Sequence, residues 1–199
     1  MKTPILLASL LLAAVGAFAA EPAASQAEAL KAHFGDDLHD NQGNKVDLAK
    51  LNGKAVGIYY SAHWCPPCKA FTPVLVDFRN KYAEQFEVVF VSSDRDDAAM
   101  KKYIEEAKMP WLTVTREGEI AEALGEKYKV SGIPTLVILK ADGTLLTEEG
   151  RALVSSGVDG TLLNDPTAKI ESVEEEYNCG KCNKTHKRKV TKLVKGDKA

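Results

Sequence analysis

The chain has 199 residues, 45% of them apolar, with 26 Lys/Arg against 28 Asp/Glu, which excludes a disordered or fibrous class and leaves one globular domain with extensions at its ends. The charge is unevenly spread: residues 179–199 hold eight Lys/Arg and one Asp, whereas residues 20–178 hold 17 basic and 27 acidic side chains. An acidic body argues against a nucleic-acid partner, and the basic end reads as a short solvated tail.

Residues 1–19 read as a signal peptide. Lys2 gives the charged start, Ile5 to Ala14 the apolar core, and Ala17-Phe18-Ala19 the small residues of a cleavage site after Ala19. The segment is short for a membrane span and no stop-transfer pattern follows, so no stable span is expected after cleavage. No cysteine follows the apolar run to carry a lipid anchor. The expected destination is the periplasm.

Ser25-Gln26-Ala27-Glu28 has the form of a capping box, in which serine and glutamate satisfy backbone donors at the start of a helix, here from about Gln26 to Phe34. Asp40 to Asn44 is a turn. Ala55 to Tyr60 is an apolar run with the length and β-rich character of a buried strand. Phe71, Val74, Leu75, Phe78 and Tyr82 then recur at helical spacing, interrupted at Pro73, where a hydrogen bond is lost and a kink is expected. Phe86 to Val91 is a second buried strand. Asp94, Asp96 and Asp97 enrich the start of a helix whose Ala99, Met100, Tyr103, Ile104 and Ala107 share one face. Ile120, Leu124 and Tyr128 mark a further short helix. Thr135 to Leu139 and Leu145 to Glu148 are strands joined by the turn Ala141-Asp142-Gly143. Ser155 to Asp165 is loop-like, and Ala168 to Tyr177 reads as a helix.

This order predicts an α/β fold. The sheet is mostly parallel, with an antiparallel hairpin at its end and helices on both faces. Active sites in such sheets lie beyond the carboxyl ends of strands, where Trp64-Cys65-Pro66-Pro67-Cys68-Lys69 falls. Pro66 suits the first helical position. The free N–H groups and the dipole of the helix that follows favour a thiolate at Cys65. Cys68, one turn inside the helix, is shielded and can reach back to close a disulfide. A structural bridge is the blander alternative, but a four-residue loop stabilises by only roughly 2 kcal/mol in the chain-entropy model. A zinc site needs two more ligands, and only His63 is near in sequence.

All four cysteines fall into C-x-x-C pairs, Cys65/Cys68 and Cys179/Cys182. Exported proteins more often use cysteines as long-range staples, so this arrangement points to thiol chemistry. For the second pair three readings compete: a second redox pair, a zinc or copper site with His186 as third ligand, or an inert disulfide. The surrounding basic residues repel a cation and favour thiolates.

Taken together, Trp64-Cys65-Pro66-Pro67-Cys68 with Phe71-Thr72-Pro73, Ala107-Lys108-Met109-Pro110-Trp111-Leu112, and Gly132-Ile133-Pro134-Thr135-Leu136 resemble the tryparedoxin/nucleoredoxin branch of the thioredoxin fold, over about Val46 to Gly157. The resemblance implies a thioredoxin-like fold with a central mixed β-sheet flanked by helices on both faces. It makes Cys65 and Cys68 the catalytic pair, and Trp64, Pro66, Pro67, Ile133 and Pro134 the substrate-binding residues. It also implies a cis Ile133–Pro134 bond facing the cysteines, exposing the Ile133 backbone to an extended substrate. For Met109-Pro110-Trp111, core packing and substrate contact are equally open. Two departures stand out: Lys69 replaces the arginine common in the branch and loses its planar fork of donors, and Tyr59 stands where thioredoxins carry a buried aspartate. The proton acceptor for Cys68 is thereby left unassigned.

The sequence therefore reads as a signal peptide (1–19), a thioredoxin-like domain with an N-terminal helix (20–165), and an extension carrying the second C-x-x-C and the basic tail (166–199). The expected activity is thiol–disulfide exchange through a mixed disulfide. Its partners are protein disulfides or dithiols and an unidentified redox partner; no organic cofactor or metal is needed, and a monomer is expected. Two rivals remain, a metal-binding or metal-delivery protein using Cys179, Cys182 and His186 and an adaptor whose cysteines are incidental; a peroxidase would need a different cysteine context, which nothing here supplies.

Overall fold

The computed structural model describes residues 26–178 and 185–196. The proposed leader, the cleavage site after Ala19, Ser25 of the capping box, and Cys179 and Cys182 lie outside these residues.

Helix α1 (Gln26–Phe34) leads through a 3-10 turn at Leu48–Leu51, capped by Asp47, into strand β1 (Ala55–Ser61). Then follow α2 (Pro66–Lys81), β2 (Phe86–Ser92), α3 (Asp97–Glu106), the short β3 (Leu112–Thr113) and α4 (Glu119–Lys127). The core closes with β4 (Thr135–Leu139), β5 (Leu145–Thr147) and α5 (Gly150–Ser155). The sheet has the order β3-β2-β1-β4-β5. β1 pairs in parallel with β2, and β2 with β3, while β4 runs antiparallel to both β1 and β5. It is a mixed sheet, as the resemblance implies, and only its β1–β3 half is parallel.

Every residue of β1 and β2 is buried, because helices cover both faces of the parallel half; this is why these strands read as unbroken apolar runs. Successive residues serve opposite layers. Ala55 and Tyr59 pack with Phe71, Leu75 and Phe78 of α2, Tyr103 of α3 and Leu153 of α5. Val56, Ile58 and Tyr60 pack with Leu30 and Phe34 of α1 and Leu124 of α4. Asp96 caps α3, its carboxylate accepting from the Ala99 N–H at 2.7 Å. Met109 and Trp111 are buried in the α2/α3 core, which accounts for their side chains by packing, while Pro110 between them is half-buried. α2 runs unbroken through Pro73 for 16 residues, so the expected interruption there does not occur.

The C-terminal region departs from the expected helix. Residues 169–178 and 185–194 form a second sheet, the antiparallel hairpin β6 (Lys169–Asn178) and β7 (Thr185–Val194). Its register sets Glu174 opposite Lys189, Glu175 opposite Arg188 and Glu176 opposite Lys187; opposite charges facing across strands favour that pairing. Glu175 holds both Arg188 and Lys192. Part of the basic tail is thus partnered by an acidic strand rather than simply solvated. Ala168 and Leu193, at the base of the hairpin, bury into the α2/α3 core. The stretch expected to be loop-like holds the end of α5 and a 3-10 turn at Gly160–Asn164.

Candidate active site

Cys65 is the N-cap of α2, with extended φ/ψ, and Pro66 and Pro67 follow it as the first helical residues. Neither proline has an N–H, so the first free donor of the helix is that of Cys68. It points at Cys65 Sγ, 3.3 Å away. The sequence reading invoked several free N–H groups; the double proline removes two of them and leaves one directed donor. Lys69 N donates to the Cys65 carbonyl at 3.1 Å, closing the first turn.

Cys65 and Cys68 are joined as a disulfide with Cα atoms 5.2 Å apart. Cys65 is 3% exposed and Cys68 fully buried. The two pack with Ala62 against Ile133. Cys65 Sγ lies 3.9 Å from the Ile133 carbonyl oxygen; on reduction this oxygen is an acceptor for the thiol. The Ile133–Pro134 peptide is cis. Arg151 of α5 donates to the Pro134 carbonyl at 3.0 Å and lies over the Phe71 ring, 5.4 Å from its centre. It thereby ties the proline loop to the cysteine helix. Nothing in the local sequence around Arg151 signals this, because the contact depends on how α5 folds back.

The loop before Cys65 is held at several points. Trp64 is 58% exposed, yet its indole N–H donates to the Ser93 carbonyl at 3.1 Å. Ser93 N in turn donates to the Ser61 carbonyl at 2.9 Å. The His63 N–H donates to buried Asp94 at 2.8 Å, and Asp94 also accepts from the Ser92 hydroxyl. Asp94 thus anchors the active-site loop rather than opening α3. Trp64, Pro66 and Pro67, next to the buried cysteines in the chain, are exposed, and Ile133 packs against the pair.

Beneath Cys68 lies a cluster of four buried hydroxyls from three elements. Thr72 donates to the Cys68 carbonyl at 2.9 Å, so its oxygen accepts from Tyr59 at 2.9 Å and from Tyr103 at 2.6 Å. Tyr103 has then spent its proton, and Ser61 donates to it at 3.1 Å. Every hydroxyl proton is accounted for, and the chain ends on the cysteine helix. Burial pushes the Tyr59 phenol well above its usual range, with its hydrogen bonding to the Ser61 and Thr72 hydroxyls only partly offsetting it. Tyr59 is therefore a neutral hydroxyl near neutral pH and not a base. The sequence flagged Tyr59 by its departure from thioredoxins; Ser61 and Tyr103 gave no local signal.

His63, the one potential metal ligand near the pair in sequence, has its Nε2 2.7 Å from Glu106 Oε2. Among the described residues no group of three or more His, Cys, Asp or Glu is placed to hold a metal ion. His186, the remaining tail candidate, packs its ring 5.8 Å from that of Tyr177. No described helix is long and apolar enough to cross a membrane.

Residues 52–145 match a family model described as thioredoxin-like. Mouse nucleoredoxin is 42% identical over 123 residues, covering 60% of this chain but only 28% of that protein. The chain thus spans under a third of the nucleoredoxin's length. Tryparedoxin of Trypanosoma brucei brucei is 39% identical over 125 residues, covering 60% of this chain and 85% of that protein. The crystal structure of tryparedoxin II from C. fasciculata superposes with a TM-score of 0.60 at 39% identity, over 66% of this chain and 89% of that one.

Proposed function

The chain belongs to the thioredoxin-like family of thiol oxidoreductases, and from that premise we propose that it is an exported enzyme exchanging disulfides with protein substrates at Cys65/Cys68. In the reducing direction the Cys65 thiolate attacks one sulfur of a substrate disulfide. A mixed disulfide forms, and the first substrate thiolate leaves and takes up a proton. Cys68 then gives up its proton and attacks Cys65 Sγ, releasing the second substrate thiolate, which is protonated in turn. Two electrons and two protons pass to the substrate, and the enzyme is left as the disulfide. Run backwards, the same steps oxidise a substrate dithiol.

The observation that carries this reading is the Cys65–Cys68 disulfide closing the first turn of α2, with the Ile133 carbonyl 3.9 Å from Cys65 Sγ. Three features favour Cys65 as the attacking sulfur: its N-cap position, the Cys68 N–H aimed at it, and its slight exposure where Cys68 has none. Trp64, Pro66 and Pro67 are the exposed surface on which substrate rests, and Ile133 supplies backbone for an extended segment to pair with. The apolar leader supports export; N-terminal sequencing of the mature protein recovered from the periplasm should begin at Ala20.

The test of activity is reduction of a protein disulfide such as insulin with dithiothreitol as the terminal reductant. Wild type accelerates it, and Cys65→Ser returns it to the uncatalysed rate. A Cys65→Ser variant that still turns over removes the proposal.

A further inference from the structure

A cleft of about 220 Å³ opens between α2 and α3, lined by His63, Lys69, Pro73, Tyr103, Glu106 and Ala107. Two of its residues flank the cysteines in the chain, His63 two before Cys65 and Lys69 one after Cys68. Its walls are mostly apolar. Tyr103 is buried with its hydroxyl committed inward to Thr72 and Ser61, so the cleft meets its ring. The His63 ring packs on it with centres 5.5 Å apart. The volume is below the roughly 300–1,000 Å³ of small-molecule sites and suits a single side chain.

The rim carries an asymmetric charge. Glu106 is already engaged, with Oε2 2.7 Å from His63 Nε2 and Oε1 3.8 Å from Lys102 Nζ. The His63 hydrogen bond, and then the nearby Lys102, His63 and Lys69 charges, hold the Glu106 carboxyl below its usual range. Lys69 has no carboxylate within ion-pair distance among the described residues, and Lys102 is well exposed. One unpaired ammonium, Lys69, and a second, Lys102, held by Glu106 only at 3.8 Å, thus face solvent beside a single carboxylate, on a protein whose body is otherwise acidic. Such a local reversal of charge fixes the register of a partner more than it adds affinity.

We propose that this cleft is a second docking subsite for the extended segment of a protein substrate, seating an apolar side chain whose neighbour is acidic. The apolar side chain rests on Pro73, Tyr103 and Ala107, and the acidic group meets Lys69 and Lys102. The inference rests on the exchange reading of Cys65/Cys68 and adds to it a rule for choosing substrates, distinct from the Ile133–Pro134 side of the site.

The experiment compares disulfide-linked peptides carrying Leu-Asp, Leu-Lys or Ser-Asp on either side of the attacked cysteine, with 2-hydroxyethyl disulfide as a small reference substrate. Wild type should favour Leu-Asp over Leu-Lys by about tenfold in kcat/KM, the equivalent of about 1.4 kcal/mol. Lys69→Glu should bring that ratio to one or below, and Ala107→Trp, which fills the cleft, should erase the preference for Leu-Asp over Ser-Asp. Ratios are read within each variant, so a change in intrinsic thiol reactivity cancels. Turnover of the small disulfide with equal rates on all peptides overturns this inference and leaves the exchange reading standing. No turnover of the small disulfide removes the exchange reading, and this inference with it.

Discussion

Replacing Thr72 by valine tests the hydroxyl cluster that supports Cys68. The two side chains have the same shape, so the change removes one buried hydroxyl without opening a cavity. Three contacts are lost: the donor to the Cys68 carbonyl at 2.9 Å and the acceptor for Tyr59 at 2.9 Å and Tyr103 at 2.6 Å. Tyr103 keeps Ser61 at 3.1 Å, whereas Tyr59 keeps a 3.5 Å approach to the Cys68 carbonyl and the neighbouring Ser61 hydroxyl. The cost is about 1 kcal/mol for a lost neutral hydrogen bond plus about 1–3 kcal/mol for a poorly satisfied buried phenol, roughly 2–4 kcal/mol in all. For a chain of this size the middle of that range lowers Tm by about 6–12 °C. The assay is urea unfolding of the oxidised protein at neutral pH for wild type, Thr72→Val, Tyr103→Phe and the double variant. Because the two residues share a bond, the double variant should cost less than the sum of the single variants by about 1 kcal/mol. A Thr72→Val protein as stable as wild type, or strict additivity, would refute the network.

Three further outcomes follow from other parts of the fold. His33 Nδ1 faces the Ala29 carbonyl at 2.7 Å and so carries the proton, leaving Nε2 to accept from Tyr128 at 2.7 Å and Lys127 at 3.0 Å. Burial, and secondarily the Lys127 charge, hold His33 below its usual value despite the Ala29 bond. Below about pH 6.5 the unfolded chain therefore binds more protons than the folded one. Stability should fall as pH drops from there, levelling once the folded His33 is itself protonated, and His33→Gln should flatten that slope in pH-dependent urea titrations. Glu87 is buried and takes two bonds from Arg79, at 2.9 and 2.5 Å. Arg79→Leu strands its carboxylate and should cost about 3–5 kcal/mol, more than Arg79→Leu/Glu87→Leu; the opposite order of denaturation midpoints refutes this. A Cβ at Gly150 would meet the Leu136 carbonyl oxygen at 2.6 Å and Ile138 at 2.8 Å. Gly150→Ala should thus shift α5 off the sheet and cost about 1–3 kcal/mol, and an unchanged Tm would contradict that packing.

The parts of the fold legible in the sequence are those fixed by local pattern. Ala55 to Tyr60 reads as a buried strand because both its faces are covered, and α2 is marked by the heptad-like return of Phe71, Leu75 and Phe78. The hairpin was not legible. Ile170, Val173 and Tyr177 fall at helical spacing, while the strand conformation is set by charge pairing with a partner some 15 residues on. β3 has two residues, too few to carry a period. The cysteine turn was legible because its chemistry is local, but its surroundings were not. Ser61, Thr72 and Tyr103 meet only after three elements pack, and Asp94 looks like one of three acidic residues at a helix start until folding buries it against His63. Glu106 likewise lies 43 residues from the imidazole it engages.

The most direct measurement is mass spectrometry of the intermediate trapped by Cys68→Ser on a protein disulfide substrate. A sulfur that attacks and a sulfur that resolves predict a covalent substrate adduct on Cys65, accumulating to near stoichiometry, with none formed by Cys65→Ser. An adduct that forms only with Cys65→Ser, through Cys68, would contradict the assignment.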